Sequence, residues 1–151
     1  MGRIVSIHLV SQRDGPATAL DEAQFVADYG LTGDFRSRQG RGRQITIVEA
    51  ETLERVAARL GIEAVPPGAS RRQVVVRGVD LNATVGKRLR LGDVLVSVEA
   101  PCDPCSNMEV KIGPGARQAM LDHGGVCGRV LEGGAVRPDD PVIVVDENAD
   151  R

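Results

Sequence analysis

Cys102 and Cys105 carry the most distinctive chemistry in the sequence, and only Asp103 and Pro104 separate them. An aspartate followed by a proline is typical of a helix N-cap and first helical position, so the pattern predicts a short helix that begins at this pair. Cys105 would then lie in the first helical turn, where the partial positive charge of the helix N-terminus stabilises a thiolate. Because a thiolate ligates a soft metal or carries a sulfur atom, Cys105 is the candidate catalytic residue.

The three cysteines also fit other roles. Cys102, Cys105, His123 and Cys127 form two close pairs with the spacing of a structural zinc site. Cys102 and Cys105 have the spacing of a redox disulfide as well, although such motifs usually lie in a βαβ context that the sequence does not predict. Cys127, at the start of a predicted strand, is typical of a small buried structural residue.

Six arginines lie in two loops that flank predicted strands. They are Arg36, Arg38, Arg41, Arg43, Arg71 and Arg72. Arginine binds phosphate bidentately, and the interleaved glycines let backbone amides approach an anion. No aromatic residues lie among these arginines to stack on a base, and the formal net charge of the chain is -2. The pattern therefore favours a compact ligand with one phosphate over a nucleic acid.

The elements that position these residues are mostly short strands. Strands are predicted over 4–10, 24–28, 44–48, 73–77, 88–91, 94–98, 126–131 and 142–145. Leu53, Val56, Ala57 and Leu60 recur at helical spacing and predict one amphipathic helix that ends at Gly61. A further helical turn is predicted over 116–121. Because strands seldom alternate with helices, a parallel βαβ sheet is disfavoured, and a mainly β fold is expected: a closed or partly closed β-barrel with a few peripheral helices.

The bulk properties fit one domain. The chain has 151 residues, 42% of them hydrophobic but only 2% aromatic, so the core must consist of small aliphatic side chains. We expect a single domain over 1–151, with its core at roughly 25–145 and a frayed tail at 147–151. No apolar run approaches the length of about 20 residues that spans a bilayer, and the odd cysteine count favours reduced thiols, so a cytoplasmic location is expected.

Four groups of motifs, taken in order, resemble the MOSC domain family, named after the C-terminal domain of molybdenum-cofactor sulfurases. The segments are GLTGD at 30–34 with RQITIVEAE at 43–51, RRQVVV at 71–76 with DLNA at 80–83, PCDPC at 101–105, and GGVCGRVLEGG at 124–134 with DPV at 140–142. Two positions depart from the family pattern. Phe35 and Arg36 stand where a histidine is frequent, and Gln73 stands where an asparagine is frequent.

The resemblance implies a stand-alone domain with a β-barrel-like fold that binds molybdenum cofactor (molybdopterin). Cys105 aligns with the family cysteine that ligates molybdenum or is proposed to carry sulfur. The cofactor-binding residues would be Arg71 and Arg72 with Arg36, Arg38 and Arg43 at the phosphate, while Asp34 and Asn82 shape the pocket.

The implied activity is sulfur transfer, or reduction of N-hydroxylated substrates as the oxotransferase component that a separate redox protein supplies with electrons. Turnover itself stays open at this point. Two alternatives also stay open: a non-catalytic interaction module stabilised by zinc, and a barrel of this type that binds another phosphorylated small molecule. Neither a nucleic acid nor a membrane is an expected partner.

Overall fold

The computed structural model describes residues 2–66, 68–103 and 106–145, and Cys105 and the predicted tail lie outside this range. The strands are β1 (Gly2–Leu9), β2 (Thr18–Ala19), β3 (Ala23–Val26), β4 (Gly30–Leu31), β5 (Ile45–Glu49), β6 (Val74–Arg77), β7 (Arg88–Leu91), β8 (Val94–Pro101), β9 (Val126–Glu132), β10 (Gly134–Val136) and β11 (Pro141–Val145). The helices are α1 (Ala50–Leu60), α2 (Ser106–Ile112) and α3 (Ala116–Ala119), and a 3₁₀ turn covers Leu81–Thr84.

Seven of the strands close into a barrel. Their order is β11-β7-β8-β9-β5-β6-β1, and β1 pairs with β11 to complete the ring. β2 adds to β1 on the outside of this ring, and β10, β3 and β4 form a small separate sheet. The predicted fold class, a mainly β barrel with a few peripheral helices, is confirmed.

The interior of the barrel is filled by aliphatic side chains. In β7, Leu89 and Leu91 are fully buried while Arg88 and Arg90 alternate with them on the outer surface. Buried and outward-facing residues alternate in the same way along the other strands, and the buried ones form one continuous core. Phe25 is the only aromatic residue in this cluster. Each buried valine or leucine contributes about 1.5–3 kcal/mol of transfer free energy, so many small side chains replace the missing aromatic ones.

One pair of strands departs from the expectation drawn from the sequence. β5 and β6 are parallel, with Ile47 opposite Val74, and α1 connects them as a crossover helix. The other pairings of the barrel strands are antiparallel. The prediction that the sheet is not a parallel βαβ sheet therefore holds for the sheet as a whole. The single βαβ unit of β5, α1 and β6 was not predicted, because one helix between two strands is too weak a pattern.

The helices pack against the outer face of the barrel. Val48, Val56, Met108 and Met120 are buried in a second cluster between the helices and that face. α1 ends at Gly61, as predicted, with a φ of 70° and a backbone N–H that donates to the carbonyls of Ala57 and Ala58. It begins at Ala50, before the predicted Leu53.

The short elements were the least predictable. β2, β4 and β10 all lie outside the predicted strands. Each has only two or three residues, too few for a hydrophobic period to show. Pro101 is still in β8 and α2 covers Ser106–Ile112, and the predicted helix start at Pro104 lies outside the described residues. None of the described helices is long and apolar enough to cross a membrane.

Gly128 provides a test of the barrel geometry. It lies in β9 between Ile45 of β5 and Val98 of β8, and a Cβ atom there would overlap the carbonyl oxygen of Ser97. We expect Gly128→Ala to lower the free energy of unfolding by about 1–3 kcal/mol, because backbone in the middle of three strands cannot shift freely. Gly42→Ala is the matched control, since a Cβ there meets nothing within 4 Å. Equal stability of the two variants in urea unfolding would contradict this packing.

Candidate functional site

A positively charged pocket opens where the arginine loops meet the ends of β5 and β6. Its volume is about 220 Å³. The lining consists of Phe35, Arg36, Arg41, Arg43, Thr46, Arg71, Arg72 and Asp103. Five of these residues are arginines, and Asp103 is the only carboxylate among them. We call this the arginine pocket.

Asp34 organises the first arginine loop from its buried position. Its carboxylate accepts from Arg36 Nε and Nη2, both at 2.8 Å, and from the backbone N–H groups of Val10 and Arg36. Burial alone raises the pKa of Asp34, but these hydrogen bonds outweigh it and leave the pKa below its ordinary value. Asp34 therefore acts on the pocket through Arg36, whose Nη1 donates to the Arg71 carbonyl at 2.7 Å.

Arg71 has an unfavourable backbone conformation. Its φ is 63°, and the other described residues with positive φ are glycines or aspartates. A left-handed arginine costs on the order of 1 kcal/mol or more and persists only where its surroundings hold it. Here the Arg36 side chain holds its carbonyl, and its own Nη1 donates to the Gly15 carbonyl at 2.9 Å.

Arg72 connects two segments of the cysteine region. Its side chain is buried, Nε donates to the Gly124 carbonyl at 2.7 Å, and Nη2 donates to the Asp103 carbonyl at 3.0 Å. A buried guanidinium with these two acceptors fixes the end of β8 against the loop before β9. Arg72 thus has a structural role besides its place in the lining of the pocket.

Thr46 and Gln73 lock the two parallel strands together beneath the pocket. The Gln73 side-chain oxygen accepts from the Thr46 backbone N–H at 3.0 Å, and the Thr46 hydroxyl accepts from the Gln73 backbone N–H at 2.9 Å. This reciprocal pair is buried. It gives a physical reason for glutamine at position 73, because the longer side chain reaches the neighbouring strand.

A cluster of two thiols and one guanidinium lies beside the arginine pocket. Arg43 Nη2 donates to the Cys102 sulfur at 3.2 Å. Cys127 hydrogen-bonds to the same sulfur from the adjacent strand. Both cysteines are buried and neither is in a disulfide.

The charge around Cys102 favours its thiolate. The hydrogen bond from Cys127, the nearby Arg72 and the hydrogen bond from Arg43 together lower the pKa of Cys102 to about 6, although burial opposes this. The Cys127 thiol is the donor to that thiolate, and this raises the pKa of Cys127 well above its ordinary value. The direct hydrogen bond from Arg43 Nη2 at 3.2 Å therefore favours Cys102 as the anion of the pair.

A second pocket lies on the other side of Arg43. Its volume is about 410 Å³, and its lining consists of Gly42, Arg43, Glu99, Ala100, Pro101, Asp103 and Cys127. Arg43 and Asp103 line this thiol pocket as well as the arginine pocket. The two pockets therefore adjoin at the segment that precedes Pro104 and Cys105.

The structure separates the predicted site residues into two groups. Arg36, Arg43, Arg71 and Arg72 line the arginine pocket, and Asp34 supports it from beneath. The other predicted residues lie elsewhere: Arg38 is exposed and outside the lining, and Asn82 is exposed and donates to the Asp122 carbonyl at 2.8 Å. Cys105 lies outside the described residues, so its predicted role stays a prediction.

The zinc set predicted from spacing is only partly described. Cys102 and Cys127 are adjacent, whereas His123 is exposed and its Nδ1 lies 3.5 Å from the Asn82 amide. Among the described residues, no three histidines, cysteines or acidic residues lie close enough together to hold a metal ion.

Thr46 is a lining residue of the arginine pocket that the sequence did not indicate. Cys102 and Cys127 were grouped only as members of the predicted zinc set, and Cys127 was otherwise expected to be a structural residue. The signal that could have joined them is the strand register, since Ala100 of β8 lies opposite Cys127 of β9. That register depends on a bulge between Val98 and Ala100, which spacing alone does not reveal.

Comparison with known proteins identifies a family and a fold. The family model described as MOSC domain matches residues 34–143. The solved structure of the YuaD protein from Bacillus subtilis is 20% identical, with a TM-score of 0.78 and coverage of 94% of both chains. YiiM from Geobacillus stearothermophilus is 21% identical with a TM-score of 0.73, covering 97% of this chain and 76% of that one. YiiM from Escherichia coli is also 21% identical, with a TM-score of 0.71, and covers 96% of this chain and 70% of that one. At these identities the structures show the fold alone. No curated protein matches the sequence.

Asp34 offers a test of how the arginine loop is held. We expect Asp34→Ala to lower the free energy of unfolding by about 3–5 kcal/mol, because it leaves the partly buried Arg36 without its carboxylate. Asp139→Ala is the control, since it removes an aspartate from the exposed ion pair with Arg3. If both variants unfold at the wild-type urea concentration, Asp34 does not hold the loop.

The lowered pKa of Cys102 predicts how the stability of the protein depends on pH. Its pKa is lowered from 9.0 to about 6 on folding. A thiol whose pKa is lower in the folded state stabilises the fold above its unfolded pKa, and this stabilisation is lost as the pH falls through the folded pKa. The stability of the wild type relative to Cys102→Ser should therefore increase as pH rises from about 6 to 9, measured by urea unfolding. A difference that does not change over this window would contradict a thiolate at Cys102.

Proposed function

The chain belongs to the MOSC domain family, and from this premise we propose that it binds a molybdenum–pterin cofactor, with the phosphate in the arginine pocket and the molybdenum at Cys105. The observation that carries the proposal is the arginine pocket itself. The arginine pocket concentrates positive charge in a chain whose formal net charge is -2. Guanidinium groups that converge on one pocket suit a phosphate, which they bind through paired hydrogen bonds.

The size of the pocket favours one phosphate group over a longer polyanion. Its volume of about 220 Å³ is below the range of about 300–1,000 Å³ that holds a whole drug-sized ligand. The adjoining thiol pocket of about 410 Å³ provides room for a larger, neutral part of the same ligand. A phosphorylated ligand that extends across Arg43 would use both pockets.

The strain at Arg71 supports a binding role for that residue. Folding stability alone would favour glycine at a φ of 63°, because glycine adopts this conformation without a steric cost. An arginine there places a guanidinium in the pocket lining at the expense of stability. Strained residues of this kind are concentrated at ligand sites.

The donor set fits both ends of the proposed cofactor. Arg36, Arg41 and Arg71 would contact the phosphate, and a cysteine thiolate is a suitable ligand for molybdenum because the metal prefers soft sulfur donors. When bound, the cofactor supplies a metal centre that exchanges an oxygen or a sulfur atom with a substrate. This chain's own contribution would be to hold the phosphate, to orient the ligand across Arg43 and to supply the Cys105 sulfur.

The activity proposed for this site is sulfur transfer or reduction of N-hydroxylated substrates, and cofactor binding is the step that the two share. The partners would be the cofactor, a small substrate and a separate redox protein. The unbridged thiols of Cys102 and Cys127 support a cytoplasmic location, where cysteines stay reduced.

The test is to express the chain in a host that makes molybdenum cofactor and to measure molybdenum and zinc by elemental analysis and pterin by fluorescence. We expect molybdenum and pterin in the wild type and in Arg38→Ala, which removes an arginine outside the pocket lining. Arg71→Gly should lose most of the pterin while its stability stays within about 1 kcal/mol of wild type, because relief of strain offsets the lost contacts. Cys105→Ser should lose the molybdenum.

Other results would reject specific parts of the proposal. Wild-type cofactor content in Arg71→Gly would mean that the arginine pocket does not bind the phosphate. Stoichiometric zinc without pterin would instead support the zinc-stabilised interaction module built from Cys102, Cys105, His123 and Cys127. A different phosphorylated compound that co-purifies and is lost in Arg71→Gly would support a barrel of this family with another ligand.

A further inference from the structure

We propose that Cys102 and Cys127 form a peroxide-reactive dithiol that oxidises to a disulfide across β8 and β9. The chemistry of this site requires no bound cofactor. Neither cysteine had an assigned role in the binding site above, and both are buried beside a pocket that opens to solvent. Three features support the proposal: strand geometry, charge at one sulfur, and access for a small oxidant.

The strand register places the two side chains on one face. Ala100 lies opposite Cys127, Pro101 lies opposite Val126, and the Cys102 backbone N–H donates to the Gly125 carbonyl at 2.7 Å. Because side chains alternate along a strand, Cys102 and Cys127 point to the same side as diagonal neighbours. Each thiol shifts the pKa of the other, which is consistent with two side chains on the same face of adjacent strands.

The two sulfurs are not equivalent. Cys102 accepts a hydrogen bond from Arg43 Nη2 at 3.2 Å and from the thiol of Cys127. Cationic and protic partners of this kind stabilise a thiolate, which is the nucleophilic form of cysteine. Cys102 is therefore the attacking residue, and Cys127 is the residue that resolves the product.

The thiol pocket gives a small oxidant access to Cys127, and Cys102 lies outside its lining, between the lining residues Pro101 and Asp103 in the sequence. Cys127, Arg43 and Asp103 line this pocket, and its volume of about 410 Å³ far exceeds that of a hydrogen peroxide molecule. Cys102 itself is only 2% exposed, which disfavours attack on bulky disulfides such as oxidised glutathione. The geometry therefore selects a small hydroperoxide as the oxidant.

The chemistry balances in two steps. The Cys102 thiolate attacks one peroxide oxygen, the S–O bond forms as the O–O bond breaks, and hydroxide leaves, so that peroxide is reduced and Cys102 becomes a sulfenic acid. The Cys127 sulfur then attacks the Cys102 sulfur, and the S–S bond forms as the S–O bond breaks. The departing hydroxide takes the Cys127 proton and leaves as water.

The experiment treats the full reduced chain with hydrogen peroxide, blocks the remaining thiols with N-ethylmaleimide and maps the disulfide by mass spectrometry. A protease that cleaves before aspartate separates Cys102 from Cys105, because Asp103 lies between them. We expect a Cys102–Cys127 disulfide in the wild type and in Cys105→Ser. In Cys127→Ser the reaction should stop at a sulfenic acid on Cys102, which dimedone traps.

Arginine variants test the role assigned to charge. Arg43→Ala should slow the oxidation of Cys102 several-fold, because the thiolate loses its guanidinium donor. Arg38→Ala is the control, since it removes an arginine of the same loop that is exposed and outside both pockets. Circular dichroism of each variant checks that the fold is kept.

Three outcomes would overturn the proposal. They are a disulfide between Cys102 and Cys105, dimedone labelling of Cys105 but not Cys102 in the Cys127→Ser variant, and equal oxidation rates in Arg43→Ala and wild type. Because none of these readouts requires a bound cofactor, failure of the cofactor proposal leaves this test unaffected.

Discussion

The N-terminal strand β1 hydrogen-bonds to β6 along one side and to β11 along the other, so the seven barrel strands leave no edge between them. This closure is what allows a chain with only 2% aromatic residues to build a core. Small aliphatic side chains fill a narrow closed interior, where a flat sheet would need larger residues or a second layer. The closed interior also frees the outer face of β5, β8 and β9 for polar groups and thiols. The arginine pocket and the thiol pocket both lie on that face.

The individual strands and helices could be predicted from the sequence, whereas the pairing of distant strands could not. The alternation of Leu89 and Leu91 with arginines predicted β7, and Gly61 predicted the end of α1. Both signals are local, because they depend only on residues within one element. The parallel pairing of β5 with β6 and the addition of β10 to β3 depend on contacts between distant segments, and no local period records them.

The site shows the same division. Residue type predicted an anion site, and Arg36, Arg43, Arg71 and Arg72 do line one pocket. Residue type could not show that Asp34 acts through Arg36 or that the Arg72 side chain is buried against backbone carbonyls. The zinc spacing grouped Cys127 with Cys102, but which members of that set are in contact depends on the strand register and a bulge. Residue type and spacing therefore predict which side chains a site contains. Only the fold shows which of those side chains already hydrogen-bond to other parts of the protein.

The Arg43 guanidinium takes part in two parts of the site. Its guanidinium lines the arginine pocket and also donates to the Cys102 sulfur. An anion that draws Arg43 away from the sulfur removes a group that stabilises the thiolate, so anion binding and proton release at Cys102 oppose each other. Thermodynamic linkage makes this reciprocal: ionisation of the thiol must weaken the anion's hold on Arg43 by the same factor. Under the proposed function, this single shared arginine would make the acidity of a buried sulfur depend on ligand concentration.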